Sequence, residues 1–224
     1  MSLAILDQNG RELSIPTTRH HPYRFIIPRD PNLALPSMTL QNVTALNSTP
    51  HHLLFNLHHV NILQSTNLTV SLHIEMQPLN EIIGYQFIYR FDSSPQLNST
   101  IHQIDGWTLF CPPSELLSLS YQSHCKKWYL DLSDDKIYQY FLDNQVTKDH
   151  RSLIFGIREL NSTEFNALCV NPSTNRSVPI YDQSFHFTAN YQLRVYTSGC
   201  YYLDEHNQWK SDGLVVSFFF CSIY

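Results

Sequence analysis

The stretch LTVSLHIEM, residues 68 to 76, carries an apolar side chain at every second position. The apolar members are Leu68, Val70, Leu72, Ile74 and Met76, and the polar ones between them are Thr69, Ser71, His73 and Glu75. Successive side chains of a β-strand point to opposite faces, so this period of two predicts a strand with one face in a core and one in water. Strands of this kind are typical of antiparallel sheets.

The same alternation recurs along the chain. It is clear in GYQFIYRF (84–91) and in FHFTANYQLRV (185–195), and weaker runs lie at 53–60, 107–111, 128–132 and 153–158. Turn-forming segments rich in Ser, Asn and Pro, such as 92–100 and NPSTNRSVP (171–179), separate these runs. Several short strands joined by turns predict an all-β fold, an antiparallel β-sandwich.

One segment is compatible with a helix. SDDKIYQYFLDNQ (133–145) has Ser133 in the N-cap position and two aspartates in the first turn, but its aromatic residues would serve a strand equally well. The prediction is therefore a β-sandwich with at most one or two short helices.

Charge and composition exclude some classes of protein. The net charge is −5, charged residues make up 15% of the chain, and tyrosine and phenylalanine number thirteen each. There is no basic run and no RNA-reading aromatic motif, so nucleic acid is not a predicted partner.

Glycosylation sequons and cysteines indicate an oxidising compartment. The sequence Asn-x-Ser/Thr occurs at Asn42, Asn47, Asn67, Asn98, Asn161 and Asn175. Sequons of this density predict a glycosylated extracellular domain with each site on a surface turn. The five cysteines include no Cys-x-x-Cys spacing, which argues against a zinc ribbon or a thioredoxin-type motif.

The chain shows neither a signal peptide nor a membrane span of its own. Residues 1–6 lack a basic segment and a useful apolar run, and no stretch approaches the ~20 apolar residues that a spanning helix needs. A glycosylated domain without either signal is expected to be a piece of a longer protein.

No motif for catalysis or for metal binding stands out. The adjacent histidine pairs at 20–21, 51–52 and 58–59 point to opposite faces of a strand and are predicted to be surface residues rather than zinc ligands. The carboxylate pairs at 134–135 and 204–205 are predicted to lie in solvated turns. No Gly-x-Ser-x-Gly and no phosphate-binding glycine loop is present. The sequence predicts no enzyme, no cofactor and no small-molecule substrate.

The segment YTSGCYYLDEHNQWKSDGL, residues 196 to 214, predicts a strand, a tight turn at 205–208 and a returning strand. Trp209 is expected to pack near Tyr201 and Tyr202, as in an ordinary aromatic cross-strand cluster. A disulfide from Cys200 would attach this hairpin to a later strand.

This segment also resembles the start of the GPS motif, which closes the autoproteolysis-inducing (GAIN) domain of adhesion receptors and polycystins. The matching residues are Cys200, Tyr202, Trp209 and Gly213. Phrases such as IIPRDPNLALPSMTLQNVT, the segment 87–111 that ends in QLNSTIHQIDGWTLFC, and FTANYQLRVYTSGCYYLD are similar to the polycystin and receptor-for-egg-jelly branch. The likeness covers roughly residues 23–216.

The resemblance implies a domain layout. Residues 1–22 would be a linker or the end of a preceding domain, and 23–216 a GAIN-like β-sandwich resembling subdomain B and ending in a partial GPS hairpin at 196–216. Residues 217–224 would be an aberrant or truncated tail. The family also implies a multi-pass, channel- or receptor-like parent protein.

Self-cleavage is not expected. Competent family members continue to His-Leu followed by Thr or Ser, where the histidine acts as general base and the hydroxyl as nucleophile. Here VVSFFFCSIY follows and contains no histidine beside Ser217 or Ser222, and Leu214 stands where adhesion receptors have a cysteine.

The function that the resemblance implies is a non-catalytic extracellular stalk at the plasma or ciliary membrane. Its partners would be the transmembrane region of the parent chain and a polycystin-type channel subunit. Cys200 with Cys221 would stand for the remaining GPS disulfide. A disulfide between Cys111 and Cys169 would cross-link the body of the sandwich and leave Cys125 as a free thiol. A disulfide between Cys111 and Cys125 is the other possible pairing. Two alternatives are an independent secreted or cell-surface module that binds glycans and, less favoured, an enzyme whose site the sequence does not reveal.

Overall fold

The computed structural model describes the strands of the fold and most of their connections. The described residues are 8, 23–25, 35–42, 46–48, 55–62, 68–79, 83–97, 101–112, 125–126, 129–130, 136–170, 178, 180, 185–187, 190–204, 206–211, 214–217 and 220–223.

Short strands dominate this part of the chain. In order they are β1 (Tyr23–Phe25), β2 (Thr39–Asn42), β3 (Leu46–Ser48), β4 (Asn56–Asn61), β5 (Ser71–Pro78), β6 (Tyr85–Phe91), β7 (Gln96–Leu97), β8 (His102–Gln103), β9 (Gly106–Phe110), β10 (Cys125–Lys126), β11 (Tyr129–Leu130), β12 (Lys136–Leu142), β13 (Ser152–Glu159), β14 (Phe185–Phe187), β15 (Asn190–Ser198), β16 (Tyr202–Leu203), β17 (Trp209–Lys210), β18 (Leu214–Ser217) and β19 (Phe220–Ile223). The helices are α1 (Asn144–Thr147) and α2 (Ser162–Phe165), and a π-helical turn (Asn166–Val170) continues α2.

Two five-stranded sheets form the body of the fold. Sheet A has the strand order β11-β12-β5-β15-β2, and sheet B has the order β10-β9-β6-β13-β4. Neighbouring strands in these sheets run antiparallel, except that β9 and β10 are parallel. The predicted all-β sandwich with two short helices is confirmed.

The core lies between the two sheets and is rich in aromatic rings. Sheet A contributes Leu72, Ile74, Met76, Tyr138, Leu142, Tyr191 and Leu193, and sheet B contributes Tyr85, Phe87, Tyr89, Phe91, Phe110, Leu153, Phe155 and Ile157. The rings of Phe110 and Tyr138 stack across the layers with centroids 4.9 Å apart. Complete burial of such a side chain stabilises the fold by roughly 1.5–3 kcal/mol. This interlayer packing is the main source of stability.

Alternation along the strands places these residues as the sequence predicts. Leu72, Ile74 and Met76 are buried on the core face of β5, and their alternating neighbours His73 and Glu75 face the other side. The segment at 133–145, which was compatible with helix or strand, contains β12 and then the start of α1. Cross-strand pairing with β5 stabilises the strand form of its aromatic residues.

Smaller sheets surround the body. β18, β19 and β1 form a three-stranded sheet with β19 in the middle, while β14 pairs with β3, β16 with β17 and β7 with β8. β18 runs across the predicted boundary at 216/217, and the backbone of β19 pairs on both sides. Except for Gln8, residues 1–22 lie outside the described part of the chain.

A disulfide between Cys111 and Cys169 attaches the helical segment to the end of sheet B. Both sulfurs are buried with Leu109 and Leu160, and Trp107 and nearby side chains pack against them. Of the pairings left open by the sequence, this structure contains Cys111–Cys169.

Candidate functional site

The segment predicted as a closing hairpin is a hairpin. β16 and β17 pair antiparallel, with Tyr202 opposite Lys210 and Leu203 opposite Trp209. In the turn, Asp204 Oδ1 accepts hydrogen bonds from the backbone N–H groups of His206 (2.9 Å) and Gln208 (2.8 Å). These bonds are typical of an aspartate that begins a turn.

The base of this hairpin is fixed to the sandwich on both strands. Cys200, which precedes β16, is buried and disulfide-bonded. Ser211, which follows β17, accepts a 2.8 Å hydrogen bond from the backbone N–H of Thr69. Asn144 of α1 donates a 2.9 Å hydrogen bond to the carbonyl of Leu214. An isolated two-stranded hairpin is marginal in water, so these anchors define its position.

The hairpin presents large apolar side chains to solvent. Trp209 is 55% exposed and Leu203 is 49% exposed, and Tyr201 and Tyr202 are also exposed. Residues directly opposite each other share a face, so Leu203 and Trp209 lie on one face and Tyr202 lies on the other. This register separates Trp209 from Tyr202, so the expected packing between these two residues is wrong, whereas the expected packing of Trp209 near Tyr201 stays a prediction.

Several predicted site residues fall where their side chains are not described. Gly213, Asn67, Asn98 and Asn175 lie outside the described residues. The backbones of Cys221, Asn42 and Asn47 lie in β19, β2 and β3 respectively. The pairing of Cys200 with Cys221 stays a prediction, as does glycosylation at all six sequons.

Asn161 is the sequon asparagine whose side chain the structure describes. It is the N-cap of α2: its Oδ1 accepts a 2.8 Å hydrogen bond from the backbone N–H of Glu164. Glu164 Oε2 in turn accepts a 3.0 Å bond from the backbone N–H of Asn161, which completes a capping box. The other two sequon residues, Ser162 and Thr163, are exposed.

A buried polar cluster on the outer face of sheet A is the other candidate site. Its centre is Glu75, which is only 2% exposed and forms an ion pair with Arg194. Tyr196 donates its hydroxyl proton to Glu75 Oε1 over 2.8 Å. Charged side chains are rarely this buried unless paired and hydrogen-bonded, and both conditions hold here.

His73 and Ser198 extend this cluster and resemble a catalytic pair. His73 Nε2 lies 2.8 Å from Ser198 Oγ. The side chain of Gln139 links the imidazole to Glu75, with Gln139 Nε2 at 3.3 Å from His73 Nδ1 and 3.2 Å from Glu75 Oε1. Ser198, His73 and Glu75 are thus linked by successive side-chain contacts, and the amide of Gln139 lies between the histidine and the carboxylate.

The position of the imidazole proton decides what this array can do. Glu75 Oε1 accepts, so the amide nitrogen of Gln139 donates to it, and the same nitrogen donates its second proton to His73 Nδ1. A neutral His73 that accepts this bond carries its ring proton on Nε2, which then points at Ser198 Oγ. A general base must accept the serine proton at that nitrogen. With its proton on Nε2, His73 would donate to Ser198 Oγ and would not accept the serine proton.

Burial keeps the imidazole neutral. It lowers the pKa of His73 to about 4, against the opposing effect of the Glu75 carboxylate. The His73 ring also stacks on Tyr196, with centroids 4.6 Å apart and planes 5° from parallel. From the sequence, His73 and Glu75 were predicted only as polar residues on the solvent face of a strand. The cluster was not predicted because their partners lie up to 125 residues away in the sequence.

The prediction of surface histidines is wrong for His58. On β4 its side chain is half-buried and faces the core side, where its ring stacks on Phe155, whereas His59 is exposed. Among the described residues, no group of three or more His, Cys, Asp or Glu side chains is arranged to hold a metal ion. No helix in the described ranges is long and apolar enough to cross a bilayer.

Comparisons with protein-family models, with curated proteins and with solved structures find no match to this chain. The functional conclusion therefore depends on the residues and surfaces described above.

Proposed function

We propose that this chain is a non-catalytic extracellular stalk module of a polycystin-like, multi-pass membrane protein, and that its closing hairpin is the contact surface of the module. The observation that carries the proposal is the hairpin itself, which is fixed at its base and apolar at its surface. Its predicted contacts are the membrane-proximal part of the parent chain and a polycystin-type channel subunit.

The disulfide supports an extracellular location. Disulfides persist in oxidising compartments and are rare in the cytosol. The Cys111–Cys169 bond joins residues 58 positions apart and is buried. Together with the six sequons, it favours a secreted or cell-surface domain over a cytosolic one.

The outer-face cluster supports a structural role over an enzymatic one. The Ser198–His73 pair has the spacing of a nucleophile and its base, and we infer that the ring proton lies on Nε2, where the imidazole does not accept from the serine. The Glu75 carboxylate already has Arg194, Tyr196 and Gln139 as partners. Its bonds with these side chains join β5, β12 and β15, which stiffens sheet A.

The hairpin supports a contact role because its two ends are held while its surface is apolar. Soluble proteins rarely leave large contiguous apolar patches uncovered unless another molecule binds there. Tryptophan and tyrosine are also enriched among the residues that contribute most to binding at protein interfaces. Leu203 and Trp209 are exposed side by side on one face of the hairpin, and Tyr202 is exposed on the reverse face.

Secretory expression of the chain behind a cleavable leader tests the location. We expect a secreted product that is sensitive to N-glycosidase, with the Cys111–Cys169 bond recovered in a non-reducing peptide map. Two results together would contradict the proposal. They are a product that receives no glycan in the endoplasmic reticulum and a chain that is equally stable when it is expressed in a reducing cytosol.

Photo-crosslinking tests the contact role. A photoreactive residue is placed at position 209 of the full-length parent protein, which is displayed at the cell surface. It should crosslink to the membrane-proximal segment of that protein or to a channel subunit. The same residue at position 57, which is exposed on β4, is the matched control and should crosslink weakly. Equal yields at both positions would show that the hairpin face is not a contact surface.

A glycan-binding module is the second candidate, and the exposure of Trp209 favours it. Sugar rings pack on exposed aromatic faces while nearby polar groups bind their hydroxyls, and Asn207 and Gln208 are exposed beside Trp209 in the turn. A glycan array distinguishes the two functions. Binding that Trp209→Ala abolishes and Tyr202→Ala preserves would favour glycan recognition, and no binding to any glycan would favour the stalk.

A further inference from the structure

We propose that His58 is an acid-sensitive latch that holds the edge strand β4 of sheet B against strand β15 of sheet A, and that protonation of its ring releases β4. The inference does not depend on the proposed function, because it concerns a contact inside the sandwich.

Three side chains form the latch. Asn56 and His58 lie on β4, and their side chains meet the hydroxyl of Tyr191, which lies on β15 in the opposite sheet. Asn56 Nδ2 and His58 Nε2 are each 2.7 Å from the Tyr191 oxygen. These hydrogen bonds cross the interlayer space, where the rest of the packing is mainly apolar.

A neutral imidazole with its ring proton on Nδ1 completes the bonding pattern. The Tyr191 oxygen accepts from Asn56 Nδ2, and its single proton is donated to His58 Nε2. Asn56 Nδ2 also lies 3.2 Å from His58 Nε2. A proton on Nε2 would make His58 a second donor to the Tyr191 oxygen beside Asn56, and the Tyr191 hydroxyl would lose the acceptor that Nε2 provides. Protonation therefore breaks this hydrogen-bond pattern.

Among the described residues that pack against His58, none supplies a compensating charge. The ring stacks on Phe155 of β13 with centroids 5.0 Å apart, and Tyr191 of β15 meets it edge-on at 6.0 Å. Tyr85 of β6 packs against Tyr191, and Glu159 at the end of β13 lies near Tyr85. Burial alone lowers the pKa of His58 to about 4. Burial also raises the pKa of Glu159 to about 7, so this carboxyl is neutral in acid and offers no counter-charge.

The strand that would respond is β4. Within the part of the chain that the structure describes, it ends the strand order of sheet B and pairs with β13 along Asn56–Asn61, and its outward side chains Leu57, His59 and Asn61 are exposed. β6 and β13, in contrast, pair on both sides. Elements with little burial and one paired edge open at the lowest free energy. A charge placed under β4 therefore opens this strand before it opens the interior of the sheet.

The direction follows from linkage. His58 binds a proton more readily when β4 is released, where its pKa is the ordinary 6.5, than in the closed state, where it is about 4. Acidification from pH 6.5 to pH 4 therefore favours release. At pH 5 the opening equilibrium shifts by up to about 30-fold relative to pH 7.5.

Hydrogen exchange of the full chain tests the latch. Protection of the β4 amides, corrected for intrinsic exchange rates, is measured at pH 7.5 and pH 5 and compared with that of β6. We expect the protection of the β4 amides to fall by up to about 30-fold between pH 7.5 and pH 5, and that of the β6 amides to fall less. In His58→Gln the glutamine oxygen accepts from Tyr191 and does not titrate, so the pH effect on β4 disappears. In the matched control His59→Gln, whose ring faces solvent, the effect remains.

A second measurement covers the case in which His58→Gln does not fold. The wild-type imidazole is followed by NMR, and we expect it to be neutral at pH 6 with its proton on Nδ1. A His58 that titrates near 6.5, a ring proton on Nε2, or a β4 response that persists unchanged in His58→Gln would overturn the proposal.

Discussion

Arg158 and Glu164 form a buried bidentate ion pair, with Nη2–Oε1 at 2.7 Å and Nη1–Oε2 at 3.0 Å. Arg158 projects from the outer face of β13, and Glu164 belongs to α2, so the pair fixes the helical segment on sheet B. Gln86 of β6 accepts a further 2.7 Å bond from Arg158 Nε. Both charged side chains are almost completely buried.

Removing one charge of this pair should be costly. Glu164→Leu leaves Arg158 buried without a counter-ion and should lower the free energy of unfolding by about 3–5 kcal/mol. The double variant Arg158→Met with Glu164→Leu removes both charges and should cost less. Urea denaturation of the three proteins measures the difference, and equal losses in the single and double variants would contradict this explanation.

The disulfide should contribute through its long loop. Breaking Cys111–Cys169, which joins residues 58 positions apart, releases chain entropy in the unfolded state and should cost about 4 kcal/mol. The variant Cys111→Ala with Cys169→Ala keeps the Cys200 disulfide and should be less stable than the oxidised wild type by this amount in urea denaturation. A double variant as stable as the oxidised protein would show that the bond adds nothing.

Gly106 should not tolerate a larger residue. It lies opposite Tyr89 in the β6–β9 ladder, and a Cβ built on it would be 2.4 Å from Tyr89 Cε1. Gly106→Ala should therefore displace the tyrosine ring and cost about 1–3 kcal/mol. In a Tyr89→Leu background the same substitution should cost clearly less, and thermal unfolding of the four proteins of this cycle measures the coupling.

Glu159 should make the protein less stable as the pH rises. Burial raises the pKa of its carboxyl in the folded state to about 7, above its ordinary value of 4.5. The unfolded state therefore loses this proton first, and stability falls between pH 4.5 and pH 7. The neutral variant Glu159→Gln should match the wild type near pH 4 and exceed its stability at pH 8. Parallel stability curves over this range would contradict the prediction.

Asn161 should be both a glycan acceptor and a helix cap, and two variants separate these roles. Thr163→Ala destroys the sequon but leaves the cap intact, so it should lose the glycosidase-sensitive mass with little change in stability. Asn161→Ala loses both the sequon and the cap. It should lower the free energy of unfolding by about 1 kcal/mol more than Thr163→Ala does. If the glycosidase removes the same mass from wild type and from Thr163→Ala after secretory expression, the site carries no glycan.

The period of two along the chain was enough to predict the class of fold and most of its core. Leu72 and Ile74, for example, occupy the inward face of β5 as the pattern requires. The same pattern failed for the outward face, because it treats an outward polar residue as solvated. Glu75 can be buried there because Arg194 pairs with it. Arg194 lies 119 residues further along the chain, and no local pattern reports a partner at that distance.

The hairpin shows the same limit at a smaller scale. Its turn followed from local residue types, because Asp204 and Asn207 adopt the conformations that such residues favour, including a positive φ of 57° at Asn207. Which faces its aromatic residues share depended on register. Register places Trp209 opposite Leu203, and the sequence left that pairing undetermined.

The Cys111–Cys169 bond closes a covalent ring that includes β12 of sheet A and β13 of sheet B. A protease that cuts the peptide chain once inside this ring would yield two polypeptides that still migrate as a single molecule. They would separate only after both unfolding and treatment with a reductant, so a nicked form of this domain would escape notice on a non-reducing gel.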